Sequence, residues 1–281
     1  MTIKELYKFA LYEFSNAKIE DFHSEVDYIF NKYFSLRKID MIIKGNENVP
    51  QRYKEVLLKI LNQRKLNIPL QYIMGEWEFM GLKFKVGFGV LIPRDDTTVL
   101  VNEALKYLSK VRNPRLIDLC SGTGCIALTL ERYLNNCSEI YGVEKSKEAF
   151  NYIIENVKLH KSKSKFINDD IFEVYKKFEN EYFDAIISNP PYIKSDEISS
   201  LQKEVRKEPL MALDGGDDGL YFYRKIIDLW SSKLKIGGII AFEVGKDQSE
   251  QVIKILKEHN FKNLHSVRDI SNIERVVIGV K

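Results

Sequence analysis

The chain has 281 residues, 44% of them hydrophobic and 30% charged, with a formal net charge of +3. That composition marks a globular, soluble protein long enough for a full α/β domain and a smaller one. No apolar run reaches the roughly 20 residues that a membrane span needs, and Met1-Thr2-Ile3-Lys4-Glu5 lacks the basic-then-apolar layout of a signal peptide. Residues 1–75 hold 12 Lys and Arg against 9 Asp and Glu, and the remainder balances at 31 of each. The basic bias in front is read as scattered solvated charge. Cys120, Cys125 and Cys137 are an odd number without a CxxC pair. They argue against a disulfide framework or a zinc site and fit a reducing cytoplasm. His23, His160, His259 and His265 stand in no metal-ligand spacing.

Residues 1–66 carry helical periods. Ile3, Leu6, Tyr7, Ala10, Leu11 and Phe14 fall on one face. Phe22, Val26, Ile29, Phe30 and Tyr33 repeat the pattern. Leu36, Ile39, Ile42 and Ile43 predict a shorter helix closed by Gly45-Asn46. Pro50 suits the first turn of a helix carrying Tyr53, Val56, Leu57, Ile60 and Leu61. Short amphipathic helices in series imply a small helical bundle over residues 1–74. It is either a scaffold or a docking module.

Residues 75–92 change character. Gly75 to Val86 is aromatic-rich and partly alternating, which predicts a β-hairpin linking two domains. Asp95-Asp96-Thr97-Thr98 offers N-caps for a helix running to about Ser109. From Arg115 onward strands and helices alternate. Strands are expected at 116–120, 139–144, 165–167, 183–188 and 238–244, and helices at 126–134, 146–160, 220–234 and 248–258. Two closing strands, 261–267 and 276–280, form a hairpin. Repeated βα units imply a mainly parallel sheet covered on both faces. The polar loop 193–217 is long enough to suggest a function.

Two stretches carry chemistry. Asp118-Leu119-Cys120-Ser121-Gly122-Thr123-Gly124 joins the first strand of the repeat to a helix. Gly122-x-Gly124-x-x-Ala127 satisfies the dinucleotide pattern, and Glu144 ends the next strand, where an acid binds ribose hydroxyls. These features suit a nicotinamide nucleotide or S-adenosylmethionine. The second stretch, Asn189-Pro190-Pro191-Tyr192, follows a strand and discriminates between them. A planar –NH₂ group is a poor nucleophile, because its lone pair is delocalised. The Asn189 side-chain carbonyl and the Pro190 backbone carbonyl can each accept one of its N–H bonds. The Tyr192 ring can cover the plane. Positioning then supplies much of the catalysis, and the sulfonium cofactor brings its own leaving group.

With these residues the chain resembles the release-factor glutamine methyltransferases, the PrmC/HemK family. The likeness covers almost the whole chain. It takes in the helical front, the hairpin, Leu91-Ile92-Pro93-Arg94, the glycine loop and Asn189–Tyr192. It continues through Val205-Arg206-x-Glu208-Pro209-Leu210-x-Ala212-Leu213 and Arg268-Asp269 to Glu274-Arg275. The resemblance implies a class I methyltransferase fold, Rossmann-like, with a mostly parallel seven-stranded sheet. It divides the chain into a helical substrate-docking domain (1–74), a hairpin linker (75–92) and a methyltransferase domain (93–281). It implies methyl transfer from S-adenosylmethionine to the glutamine side-chain nitrogen in the Gly-Gly-Gln motif of class 1 peptide-chain release factors, in the cytoplasm, by a monomer with no nucleic-acid substrate and no metal. Asp118, Cys120, Ser121, Gly122, Thr123, Gly124 and Glu144 would bind the cofactor, with Asp170 near the adenine. Asn189 would meet both cofactor and substrate, and Pro190, Pro191 and Tyr192 the substrate glutamine. The alternatives are a ribosomal-protein glutamine, a nucleic-acid adenine N6, or an inactive binding module. The family has glycine where this chain has Cys120, and that side chain is expected to crowd the cofactor or force a different turn. It also usually has proline and a final glutamate where this chain has Asp95 and Thr98.

Overall fold

A computed structural model describes residues 1–134 and 139–281, so Cys137 lies outside the described residues. The chain divides into two units, Met1–Met74 and Gly75–Lys281.

In the first unit, α1 (Ile3–Asn16) starts at a capping box, in which Thr2 Oγ1 accepts from the Glu5 N–H and the Glu5 carboxylate accepts from the Thr2 N–H. Its buried residues, Ile3, Leu6, Ala10 and Phe14, recur at helical spacing. They pack with Val26, Ile29 and Phe30 of α2 (Phe22–Phe34) and, after α3 (Lys38–Ile43), with Leu57, Ile60 and Leu61 of α4 (Gln51–Lys65). Arg64 crosses this core to chelate the Glu25 carboxylate, with two bonds of 2.7 Å. A last short helix, α5 (Leu70–Met74), lies beyond the expected helical stretch.

Three sequence expectations change here. The apolar stripe of α3 faces water: Ile39, Ile42 and Ile43 are exposed, while Asp40 is buried and accepts from the Arg37 N–H. Six residues are too few for periodicity to set a face, and the polar cap sets it instead. Gly45 is not a left-handed cap; a Cβ there would meet the Met41 carbonyl oxygen at 2.3 Å, so close approach requires the glycine. Pro50 precedes α4 as its N-cap rather than entering its first turn.

The second unit opens with β1 (Glu76–Phe79) and β2 (Leu82–Lys85), an antiparallel hairpin. Its turn residues, Met80 and Gly81, have φ of +49° and +76°, the positive φ pair of a tight type I′ hairpin turn. Then follow α6 (Thr97–Leu108), β3 (Arg115–Leu119), α7 (Cys125–Tyr133), β4 (Glu139–Glu144), α8 (Lys147–His160), β5 (Lys165–Asn168), α9 (Ile171–Val174) and β6 (Phe183–Ser188). The chain closes with α10 (Tyr221–Trp230), β7 (Leu234–Glu243), α11 (Ser249–Glu258), β8 (Lys262–Arg268) and β9 (Glu274–Val280). The seven-stranded sheet has the order β5-β4-β3-β6-β7-β9-β8. It is parallel except for β9, which runs against both neighbours. β7 begins earlier than expected and α10 ends earlier, because Leu234 already pairs with Phe183 of β6.

Every residue of β6 is buried, so its side chains alternate between two cores. Ala185 and Ile187 pack with Leu100, Val101 and Ala104 of α6 and Ile126 and Leu130 of α7. Ile186 packs with Tyr223 and Trp230 of α10 and Val252 and Leu256 of α11. Burial on both faces is why β6 reads as a continuous apolar run. At the outer end of the sheet, the Phe166 ring of β5 fills space left by two glycines. A Cβ on Gly142 would lie 2.4 Å from that ring, and one on Gly124 would lie 3.2 Å from it. The sheet order reverses between β3 and β6, which places a ligand crevice at their carboxyl ends.

Candidate active site

The chain leaves β3 through Cys120, whose φ of +63° lies in the left-handed region, followed by Gly122 at +56° and Gly124 at +79°. Cys120 therefore keeps a turn that favours glycine, at the steric cost a side chain pays there. Its thiol is held well above its ordinary range by burial and by the nearby Glu144 and Asp118 carboxylates. The loop is braced from below. Ser121 Oγ donates to the Asp118 carbonyl at 2.9 Å, and Asp118 Oδ2 accepts from the Ala127 N–H at 3.3 Å. Asp118 is fully buried with Oδ1 unpartnered, and burial raises its pKa to about 8.

Glu144, at the end of β4, is tied to the loop. One carboxylate oxygen accepts from the Gly122 N–H at 2.8 Å and the other from the Ser146 N–H at 2.7 Å. Burial raises its pKa against those two donors. Asp170 ends the β5 turn, capping α9 through the Phe172 N–H and pairing with Lys145 at 2.8 Å.

Asn189 follows β6 directly. Its Nδ2 donates to Thr97 Oγ1 of α6 at 3.3 Å, which turns the carbonyl end of the amide away from Thr97. Beside it stands Glu243, the last residue of β7, almost fully buried, with Thr97 and Asn189 as its polar neighbours. Burial raises the Glu243 pKa to about 7. Thr97 is thus inside α6 rather than its cap, and Asp96 pairs with Arg275 at 2.9 Å instead of capping the helix.

These elements enclose a cavity of about 520 Å³. Cys120, Gly122, Glu144, Asp170, Asn189 and Pro191 line it, so the structure brings these six sequence-identified residues together. A smaller recess shares Cys120, Gly122 and Asn189 with it and adds Ser121, Thr123 and Thr97. Asp118, Gly124, Pro190 and Tyr192 line neither. Asp118 and Gly124 support the loop from behind. Tyr192 is partly buried and packs against the core, its backbone carbonyl accepting from Gln248 Nε2 at 2.9 Å, and desolvation pushes its phenol above its usual range.

Sequence reasoning missed several wall residues. Ile171, Phe172 and Phe222 give the cavity an apolar side, and Pro209 to Ala212 come from the long loop. That loop is pinned by Glu208, which accepts from the Ile92 N–H at 3.0 Å and from the Arg94 guanidinium. The two motifs Leu91–Arg94 and Glu208-Pro209, 116 residues apart, thereby meet at one ion pair. Both were visible as motifs; their contact was not. Thr97 was legible only as a helix-cap candidate and Glu243 gave no signal, since each meets Asn189 only through the tertiary fold. Among the described residues no group of His, Cys, Asp and Glu is arranged to hold a metal ion, and no helix is long and apolar enough to cross a membrane.

The cavity suits an adenosine-containing sulfonium cofactor. A Cβ on Gly122 would touch no protein atom, so the glycine leaves open space at the cavity wall. Glu144 offers a carboxylate for ribose hydroxyls, and Phe172 and Ile171 offer apolar surface for a base.

Comparison with known proteins gives two matches to family descriptions, "PrmC N-terminal domain" over residues 5–75 and "Conserved hypothetical protein 95" over residues 97–216. The chain is similar to the release factor glutamine methyltransferase of Thermodesulfovibrio yellowstonii, with 41% identity covering 86% of this chain and 87% of that protein. It is also similar to the release factor glutamine methyltransferase of Clostridium botulinum, with 35% identity over 99% of this chain and 98% of that protein. Among solved structures it is similar to the hMettl16 catalytic domain in complex with an RNA hairpin. That match has a TM-score of 0.56 and 14% identity, and covers 83% of this chain and 82% of that one. At that identity the match speaks for the fold.

Proposed function

The chain belongs to the release factor glutamine methyltransferases, and from that premise we propose that it methylates the glutamine side-chain nitrogen in the Gly-Gly-Gln motif of class 1 peptide-chain release factors, in the cytoplasm. The observation that carries the reading is the placement of Asn189 on the wall of the cavity that also holds Glu144. A carboxylate suited to ribose hydroxyls and an amide suited to the substrate thus line one crevice.

S-adenosylmethionine, when bound, supplies an electrophilic methyl group on a positively charged sulfur. Glu144 holds the ribose hydroxyls, Asp170 lies toward the adenine, and the Cys120–Gly124 loop borders the rest. The Asn189 side-chain carbonyl and the Pro190 backbone carbonyl accept the two N–H bonds of the substrate amide and fix its nitrogen. Pro191 walls the substrate side. Tyr192 acts from the core behind the turn rather than from the cavity surface. Residues 1–74 dock the release factor; the exposed apolar side chains of α3 support that assignment.

The test is incubation with isotopically labelled cofactor, a release factor, a ribosomal-protein fraction and DNA, with the label located by mass spectrometry. Label on the release-factor glutamine is expected. Label on a ribosomal protein or on adenine, with none on the release factor, overturns the reading.

A further inference from the structure

We propose that Glu243 is a positioning residue that holds the Asn189 amide in its working orientation, with Nδ2 turned into the protein and the carbonyl oxygen toward the cavity. The inference rests on the reading of Asn189 as the acceptor for the substrate amide.

The register of the sheet creates the contact. Ser188 of β6 is paired with Phe242 of β7. The next residue on each strand, Asn189 and Glu243, therefore emerges side by side at the carboxyl edge. An Asn amide is nearly symmetric in shape, and only its neighbours decide which end faces a ligand. On the protein side those neighbours are Thr97 Oγ1, which takes an N–H from Nδ2 at 3.3 Å, and the Glu243 carboxylate. In its ionised form that carboxyl group only accepts, which favours the NH₂ end of the amide on its side, the end that already donates to Thr97. The same carboxyl group also neighbours Thr97, whose hydroxyl oxygen accepts from Asn189 Nδ2.

Burying a carboxylate here is costly. Glu243 is 1% exposed, and its Oε2 has no hydrogen-bond partner. Arg275, whose charge acts on Glu243, is already engaged by Asp96 and Asp269. An apolar residue at the end of β7 would be cheaper for stability alone. A buried polar group that weakens the fold while fixing one end of a reactive amide fits a positioning role.

The test compares Glu243→Ala and Glu243→Gln in the full chain. Single-turnover methylation of a release factor, its KM, cofactor calorimetry and the side-chain amide signals of Asn189 by NMR are measured together. Alanine is expected to slow transfer about tenfold or more, with KM and cofactor Kd moved by less than about threefold. Glutamine keeps an acceptor in the same place and should return transfer to within about threefold of the unmodified protein. The Asn189 amide protons should exchange faster and shift upfield in the alanine variant. If that variant does not fold, Thr97→Val is expected to produce the same change in those signals. Unchanged Asn189 signals, undiminished transfer by the alanine variant, or glutamine as slow as alanine would each overturn the proposal. If the unmodified protein leaves the release factor unlabelled, the functional reading fails, and the amide signals still decide the role of Glu243.

Discussion

Glu208 accepts a hydrogen bond from the Ile92 backbone at 3.0 Å and closes an ion pair with Arg94, binding the long loop to the segment that leads into α6. Its side chain is 1% exposed, and burial raises its pKa despite Arg94. Glu208→Ala leaves the Ile92 N–H unpaired and Arg94 without its partner. A loss of roughly 2–3 kcal/mol is expected for such a change, read from urea unfolding midpoints. Cofactor affinity should fall as well, because Pro209 to Ala212 line the cavity. Glu208→Gln retains an acceptor for Ile92 and should lose less on both measures.

Glu144→Ala should weaken cofactor binding by roughly 1.5–3 kcal/mol, the range for hydrogen bonds to a charged group. The carboxylate also organises the loop through Gly122 and Ser146. Calorimetry is the measurement, and unchanged affinity would place the ribose elsewhere.

Asn189→Ala removes the amide acceptor and leaves the Cys120–Gly124 loop intact. Methyl transfer should fall about 10²-fold, the order found when a group acting in the transition state is lost. Cofactor affinity should hold. Asn189→Asp sets a second carboxyl group beside Glu243, and two such groups cannot both ionise cheaply. Its residual activity should therefore rise as pH is lowered, opposite to the trend expected from simple loss of an acceptor. Single-turnover rates across pH distinguish the two.

Cys120→Gly should be tolerated. A side chain in the left-handed region costs on the order of 1–2 kcal/mol, and glycine returns roughly 0.5–1 kcal/mol of that through unfolded-state freedom. Stability should change little, and cofactor affinity should hold or rise as the thiol leaves the cavity wall. A large loss of affinity on calorimetry would give the thiol a positive role.

Burial raises Asp118 from its ordinary 3.8 to about 8 and Glu243 from 4.5 to about 7. Both bind their protons more tightly folded than unfolded, so unfolding releases protons between those limits. Their contribution is present in full below about pH 4 and is lost as pH rises toward 8. Urea midpoints should fall from pH 5 to pH 8.5, and Asp118→Asn should flatten the fall. A midpoint that rises over that range would contradict both assignments.

The sheet was legible because its strands are short apolar runs separated by helical periods, a signal that survives without any tertiary information. The loop after β3 and the acid after β4 were legible because their spacing is local. What could not be read depends on contacts between distant residues. The exposure of Ile42 and the burial of Asp40 follow from one cap bond rather than from period. Asp96 left its capping role for Arg275, more than 170 residues further along. Tyr192 was read as covering the substrate; its partly buried ring packs against the core that includes α10 and α11, a contact that no local pattern announces. Glu243 ends a strand with no motif around it, and only the register of β7 against β6 brings it to Asn189.

The packing of Phe166 over Gly124 and Gly142 also constrains how such a sequence can drift. A side chain at position 142 would collide with the ring and with Ser121 Oγ, pushing the edge strand against the ligand loop. Position 166 must therefore shrink, and Ser121 must turn aside, before position 142 can grow, and the reverse order passes through a damaged intermediate. Lineages descending from this chain should gain a side chain at 142 only where the ring at 166 has already been lost, making the three positions change in sequence rather than independently.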